Sequence, residues 1–249
     1  HIEEAHALLD AARSGLELAH APKDAPIGFA GYSQGGGASL SAAEYAERYA
    51  PDLNVAGTYA GAPPTDLPET MRSIDGSAIA HVLGYAINGF SERSPEFRDA
   101  VLAELNPRGI DFLRSAATSC TGDSVLMWGF TNTRMLTRTG ESLSEIVERK
   151  PVVKETLERQ NLGKAVPNAP VMMASSPSDD LISHDQVRRT AGAYCSMGGT
   201  IDFVAAPGTA TIPRTGIDHA VPLYLEMPVG LQYLFDRFEG KPAPTNCTA

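Results

Sequence analysis

The five residues Gly31-Tyr32-Ser33-Gln34-Gly35 constrain this chain more than any other feature of it. They match Gly-x-Ser-x-Gly, and their flanks give the match its weight. A short apolar run at 26–30 enters the motif, and a stretch rich in Gly, Ala and Ser at 36–49 leaves it. Strand, tight turn and helix are the setting in which a serine is held in a left-handed turn with its hydroxyl projected at the end of a sheet. Side chains at 31 and 35 are expected to clash as strand and helix converge, and Gly36, Gly37 and Ala38 to continue the close approach. A nucleotide-binding turn is the competing reading, but Gly-x-Gly-x-x-Gly does not occur here.

The rest of the chain is read around that turn. Ile2, Ala5, Leu8, Leu9, Ala12 and Leu16 recur at helical spacing over 2–18. Short apolar runs at 54–59, 171–174 and 200–204 read as further buried strands. Helices are predicted over 183–197, with Ser183 as N-cap, and over 221–238, with Pro228 as a kink. Strands alternating with helices predict an α/β fold with a mainly parallel sheet. From 66 to 164 no strand pattern is visible, only helical pieces punctuated by Pro and Gly. Asp66 with Glu69 resembles a capping box. Residues 74–90 are apolar on more than one face. The pieces at 95–105 and 107–117 open on the Pro that first turns favour. Those at 143–149 and 151–160 are more charged and expected to be solvated. The chain thus divides into a first core segment over 1–65, a helical insertion over 66–164 and a second core segment over 165–249.

Composition narrows the function. With 43% hydrophobic and 20% charged residues a sizeable core can form. Thirty Asp and Glu against 20 Lys and Arg leave a formal charge of −10, a poor match for nucleic acid or an anionic membrane surface. No apolar run reaches the roughly 18 residues of a membrane span. Cys and His are not spaced as metal ligands, and no metal or cofactor is expected.

A serine hydroxyl is a poor nucleophile alone. It needs a base, almost always His, and a carboxylate to orient that base. On this kind of turn the chain order is Ser, acid, His. His1, His6 and His20 precede Ser33. His81 falls in the helical insertion, and His184 sits near a helix start, facing solvent. His219 remains, in a loop-like stretch before the last helix. Asp179 and Asp180 both follow the strand at 171–174, and spacing alone does not choose between them. Asp218, next to His219, reads as a turn residue.

The cysteines are Cys120, Cys195 and Cys247, an odd count. Cys247 lies in a polar, Pro-rich tail that gives it no core to enter. A free surface thiol is one reading; a disulfide holding that tail is the favoured one, and it would point to an oxidising compartment. Asn246-Cys247-Thr248 also matches a glycosylation acceptor.

Together, Gly31-Tyr-Ser-Gln-Gly-Gly-Gly37, Gly57-Thr-Tyr-Ala-Gly-Ala-Pro-Pro64, Asp179-Asp-Leu-Ile182, Asp218-His219 and Phe235-Asp-Arg-Phe-Glu-Gly-Lys-Pro-Ala-Pro244 with Cys247 resemble the secretory lipase family, the lipase A type of α/β-hydrolase. The likeness runs through both core segments and is weakest in the insertion. It implies a secreted hydrolase of carboxylic esters of lipid-like substrates, working through an acyl-enzyme. Its triad would be Ser33, Asp179 and His219, the family register favouring Asp179, with Ser183 where Pro is common. A helical cap over 66–164 would cover the site and shape an acyl-binding tunnel. The backbone N–H of Gln34 would be one oxyanion-hole donor. The family also carries a long segment before the point matching His1, which supplies the first strands and the second donor. A preceding segment or second chain of the same protein is therefore expected. The resemblance gives Cys120 a partner in that segment, leaving Cys195 and Cys247 as the internal pair. A cutinase-like esterase and a non-catalytic piece of a two-chain hydrolase are the alternatives.

Overall fold

Four short strands form one parallel sheet in the order in which they occur in the chain. The computed structural model describes residues 1–247. In chain order come α1 (Ile2–Leu18), β1 (Ile27–Tyr32), α2 (Gln34–Tyr49) and β2 (Val55–Gly61). Ala5 and Leu9 of α1 are fully buried, and Leu9 joins Phe29 of β1 and Ala42 and Ala46 of α2 in one apolar cluster. The small side chains of α2 let it lie close on the strands, as its composition predicts. β1 runs two residues past the predicted 26–30, because Gly31 and Tyr32 still pair with Ala60 and Gly61.

A helical unit follows, spanning Leu67–Gln160 and joined by Ala210–Asp218. It holds α3 (Leu67–Ile74), α4 (Val82–Arg93), α5 (Pro95–Leu102), α6 (Pro107–Thr118), α7 (Thr121–Trp128), α8 (Leu143–Arg149) and α9 (Pro151–Arg159). Pro opens α5, α6 and α9, and the side chains of Ser94 and Asn106 cap α5 and α6. Ser142 and Glu145 form a reciprocal capping box at the start of α8, a signal present in the sequence that the charge of this stretch obscures. The expectation that 143–149 and 151–160 are solvated is corrected. Leu143, Ile146, Val147, Val153 and Leu157 are buried with Phe97, Phe112 and Leu136 in this unit's own core. Charged residues occupy only the outer stripe of these two helices.

The other unit holds His1–Asp66, Asn161–Thr209 and the chain from His219 onward. Its second half contributes β3 (Val171–Ser175), α10 (His184–Ser196), β4 (Ile201–Ala205) and α11 (Ile217–Phe238). All five residues of β3 are buried, as an inner parallel strand requires. Strand residues alternate in direction: Phe29 packs with α1 and α2, whereas Tyr59 packs with Tyr233 and Leu234 of α11. Two devices tie this unit together. The buried carboxylate of Glu44 accepts the backbone N–H groups of Gly163, Lys164 and Ala165 and the Tyr194 hydroxyl, fixing the chain where it re-enters the core. A disulfide joins Cys195 of α10 to Cys247, 52 residues on. The tail it anchors runs along β4. Asn246 donates its backbone N–H to Ile201, and its side chain both accepts from the N–H and donates to the carbonyl of Phe203. The acceptor pattern at Asn246 ends on Thr248, outside the described residues. Among the described residues, no helix is long and apolar enough to cross a membrane.

Candidate active site

Ser33 stands between the last residue of β1 and the first of α2, with φ 56° and ψ −123°. A non-glycine residue holds such a backbone only where its surroundings enforce it. Here its N–H donates to Gly61 and its carbonyl accepts from Gly37, both at 2.9 Å. A Cβ on Gly31 would fall on the carbonyl of Gly35, and one on Gly36 would fall on that of Gly61. A Cβ on Gly35 would meet open space. The expected crowding therefore exists at Gly31 but not at Gly35; the second tight contact is at Gly36, where the helix start crosses the end of β2.

Two residues distant in sequence meet Ser33. His219 Nε2 lies 2.8 Å from Ser33 Oγ, and His219 Nδ1 lies 2.7 Å from Asp179 Oδ2. The Asp179 side chain is wholly buried, and its Oδ1 accepts the N–H groups of Leu181 and Ile182 at 2.9 and 2.8 Å. Because a carboxylate only accepts, Nδ1 carries the ring hydrogen and Nε2 presents its lone pair to the serine hydroxyl. Asp180, equal to Asp179 by spacing, makes a different contact, its Oδ1 accepting the backbone N–H of His219 at 3.1 Å.

His219 is not in a loop. It lies in the first turn of α11, which begins at Ile217 and runs through both Pro222 and Pro228. The sequence reading started the helix late because Gly216, Asp218 and Pro222 look like turn punctuation. Asp218 instead takes the N–H of Thr211 on both carboxylate oxygens. Asp180 supplies the acceptor that the N–H of His219 lacks at a helix start. His184 is also corrected: it is half-buried, its Nδ1 3.0 Å from the carbonyl of Ser175.

A model of the family described as secretory lipase matches residues 2–246. The chain belongs to the secretory lipase family. A Mycobacterium tuberculosis protein described as a probable inactive lipase is 32% identical over 241 residues, covering 95% of this chain and 49% of the relative. A secreted triacylglycerol lipase of Malassezia globosa is 29% identical over 250 residues, covering 97% and 50%. The chain thus spans about half the length of the curated relatives it matches. Among solved structures, Candida antarctica lipase A superposes with a TM-score of 0.84 at 21% identity, over 98% of this chain and 56% of that one. The likeness fixes the fold as an α/β-hydrolase core, and the family sets the cutinase-like alternative aside.

Other expected residues of the chain have these places. Gln34 is exposed as the first residue of α2, where the backbone N–H has no acceptor within the helix. Cys120 is an exposed free thiol just before α7. His81 is buried in the helical unit, its ring nitrogens without partners, and burial lowers its pKa. Among the described residues, no group of three or more His, Cys, Asp and Glu could hold a metal ion. Three buried or half-buried polar groups were not anticipated from the sequence. Tyr32 donates its hydroxyl to the carbonyl of His219 at 2.8 Å, and burial and the charge of Asp179 raise its pKa. Tyr59 and Glu226 form a buried pair, in which burial lifts the Glu226 carboxyl to about 7. A glutamate inside Leu223-Tyr-Leu-Glu-Met-Pro-Val229 was the available signal.

Proposed function

We propose that the protein is a secreted serine hydrolase of carboxylic esters of lipid-like substrates. Ser33 is the nucleophile, His219 the general base and Asp179 the carboxylate that orients it. The observation that carries the reading is the line of two hydrogen bonds, 2.7 and 2.8 Å, ending on a serine in a left-handed turn. As Ser33 Oγ attacks the ester carbonyl carbon, its proton passes to His219 Nε2. Asp179 holds the imidazolium so formed. The ring then returns the proton to the leaving alkoxide, the acyl group stays on Oγ, and a water activated by the same ring releases the acid. The N–H of Gln34, next to the nucleophile, donates to the oxyanion. The Malassezia relatives named as secreted lipases and the internal disulfide support an oxidising, extracellular location.

We also propose that further polypeptide of the same protein, either a preceding segment or a second chain, lies against β1. That strand forms one side of the sheet, and among the described residues only β2 pairs with it. The added segment supplies the second oxyanion donor and a cysteine for Cys120. The helical unit, between β2 and β3 in the chain, is then an insertion into the hydrolase core.

A non-catalytic reading has one observation in its favour, the description of the Mycobacterium tuberculosis relative as a probable inactive lipase. Reaction with a fluorophosphonate, followed by peptide mapping, separates the two. A folded protein whose Ser33 stays unmodified supports the non-catalytic reading; a covalent adduct on Ser33 supports the enzyme.

A further inference from the structure

A second carboxyl is buried on the helix that carries His219, and the acyl-enzyme mechanism does not use it. Glu226 sits on α11 two turns after His219 and is 5% exposed. Its Oε2 is 3.4 Å from the Tyr59 hydroxyl, and its Oε1 is buried without a hydrogen-bond partner. The place is closely built. A Cβ on Gly230 would strike the Tyr59 ring, and one on Gly61 would meet the Tyr59 hydroxyl at 2.6 Å. Those two glycines pin the phenol between strand and helix, with its oxygen turned to Glu226. The titratable groups around Glu226 are Tyr59 from β2, Tyr32 from β1 and Asp179 from the loop after β3. His219 and Tyr233 are on α11 itself. Burial, with the charge of Asp179 added, lifts the Glu226 carboxyl to about 7. Tyr32, which donates to the carbonyl of His219, has its pKa raised by burial and then by Asp179, Glu226 and Tyr59. A Cβ on Gly61 would strike the Tyr32 ring as well as the Tyr59 hydroxyl, so the phenol that Glu226 faces is packed beside the one that donates to the carbonyl of His219.

We propose that Glu226 is a positioning residue that sets the charge felt by the Asp179–His219 pair, adding a second negative charge when ionised and withdrawing it when protonated. The inference rests on the reading of Ser33, Asp179 and His219 as the triad. The ring gains a full positive charge as Ser33 Oγ is deprotonated. A second anion in the same low-dielectric interior favours that charge, and it does so only where Glu226 is ionised. An ionisable carboxyl with one oxygen left unpaired is costly as mere packing, since a glutamine or an apolar residue fills the same space without the charge.

The test measures fluorophosphonate labelling of Ser33 between about pH 5 and about pH 9 in the wild type, Glu226→Gln and Tyr59→Phe. Carbon-13 spectra of labelled glutamate carboxyls are recorded on the same samples. The carboxyl resonance missing from Glu226→Gln should titrate near 7 and move higher in Tyr59→Phe, because the phenol's hydrogen bond favours the charged form. The wild-type to Glu226→Gln labelling ratio should be near unity at the acid end and climb to about threefold to tenfold at the alkaline end. A flat ratio overturns the proposal, and so does a Glu226 carboxyl titrating in the ordinary carboxylate range. If the Gln variant does not fold, Glu226→Asp decides: it keeps an ionisable group and should keep the rise. A wild type unlabelled at every pH sinks the triad reading instead. The His219 ring resonances then decide the inference. They should carry an inflection at the Glu226 midpoint that Glu226→Gln lacks, and its absence in the wild type overturns the coupling.

Discussion

Asp180 accepts the backbone N–H of His219 at 3.1 Å, one residue after the carboxylate that meets the ring of the same histidine. Neighbouring aspartates thus divide the work, one holding the imidazole and one holding the start of the helix that carries it. Asp179→Asn should lower kcat about 10⁴-fold while leaving the fold intact, because the amide selects the wrong tautomer. Asp180→Asn keeps an accepting oxygen for that N–H and should cost roughly tenfold or less in rate, with little loss of stability. Steady-state ester hydrolysis and thermal melts of both variants check this; a larger rate loss from Asp180→Asn reverses the assignment.

Ser33 carries its own test of backbone strain. Ser33→Ala should abolish labelling and leave only the ~10³–10⁴-fold advantage over water that the oxyanion site and binding provide. Ser33→Gly should be equally inactive yet more stable than Ser33→Ala by about 1 kcal/mol, since glycine accepts a positive φ. Undiminished hydrolysis by either variant would remove Ser33 from the mechanism.

Glu226 makes stability depend on pH. Its carboxyl is raised from 4.5 to about 7 on folding, so the folded chain holds the proton more tightly than the unfolded one. Stability from this group is fully present below about 4.5 and is lost as pH rises through about 7. Glu226→Gln should therefore match the wild type near pH 4 and exceed it by ~1–3 kcal/mol near pH 8. Urea unfolding of both proteins across that range reads the difference, and a constant offset would contradict it.

Glu44 is a structural counterpart. It accepts three backbone N–H groups and the Tyr194 hydroxyl, and it is 5% exposed. Glu44→Gln replaces one accepting oxygen with a donor facing other donors. A loss of roughly 2–4 kcal/mol is expected, without a change in the pH profile of catalysis. Thermal melts and labelling rates on the same samples separate the two effects.

The turn at Ser33 was legible because its geometry demands particular residues in a particular order, and chain order singled out the histidine that the fold brings to it. What stayed hidden has physical causes. Asp179 and Asp180 differ only in which atom of His219 each meets, a distinction that spacing does not encode. Gly35 and Gly36 look equivalent until the helix is placed on β2. The helix from Ile217 was masked by Gly216, Asp218 and Pro222, and the acceptor for the N–H of His219 comes from Asp180, far away in the chain. The buried stripes of α8 and α9 were outweighed by their outer charges. Glu226 had a local signal, but only the fold buries it against Tyr59.

Reducing the Cys195–Cys247 bridge has a consequence beyond the ~4 kcal/mol that a closed loop of 52 residues is worth. Among the described residues the tail lies along β4 and hydrogen-bonds Ile201 and Phe203, on the side of the sheet away from β1. With β1 taken by the further polypeptide proposed above, freeing the tail gives the sheet a single open side, a valence of one. Such a unit is satisfied by one partner, so sedimentation of the reduced form should show growth that stops at a pair, while the oxidised form stays single.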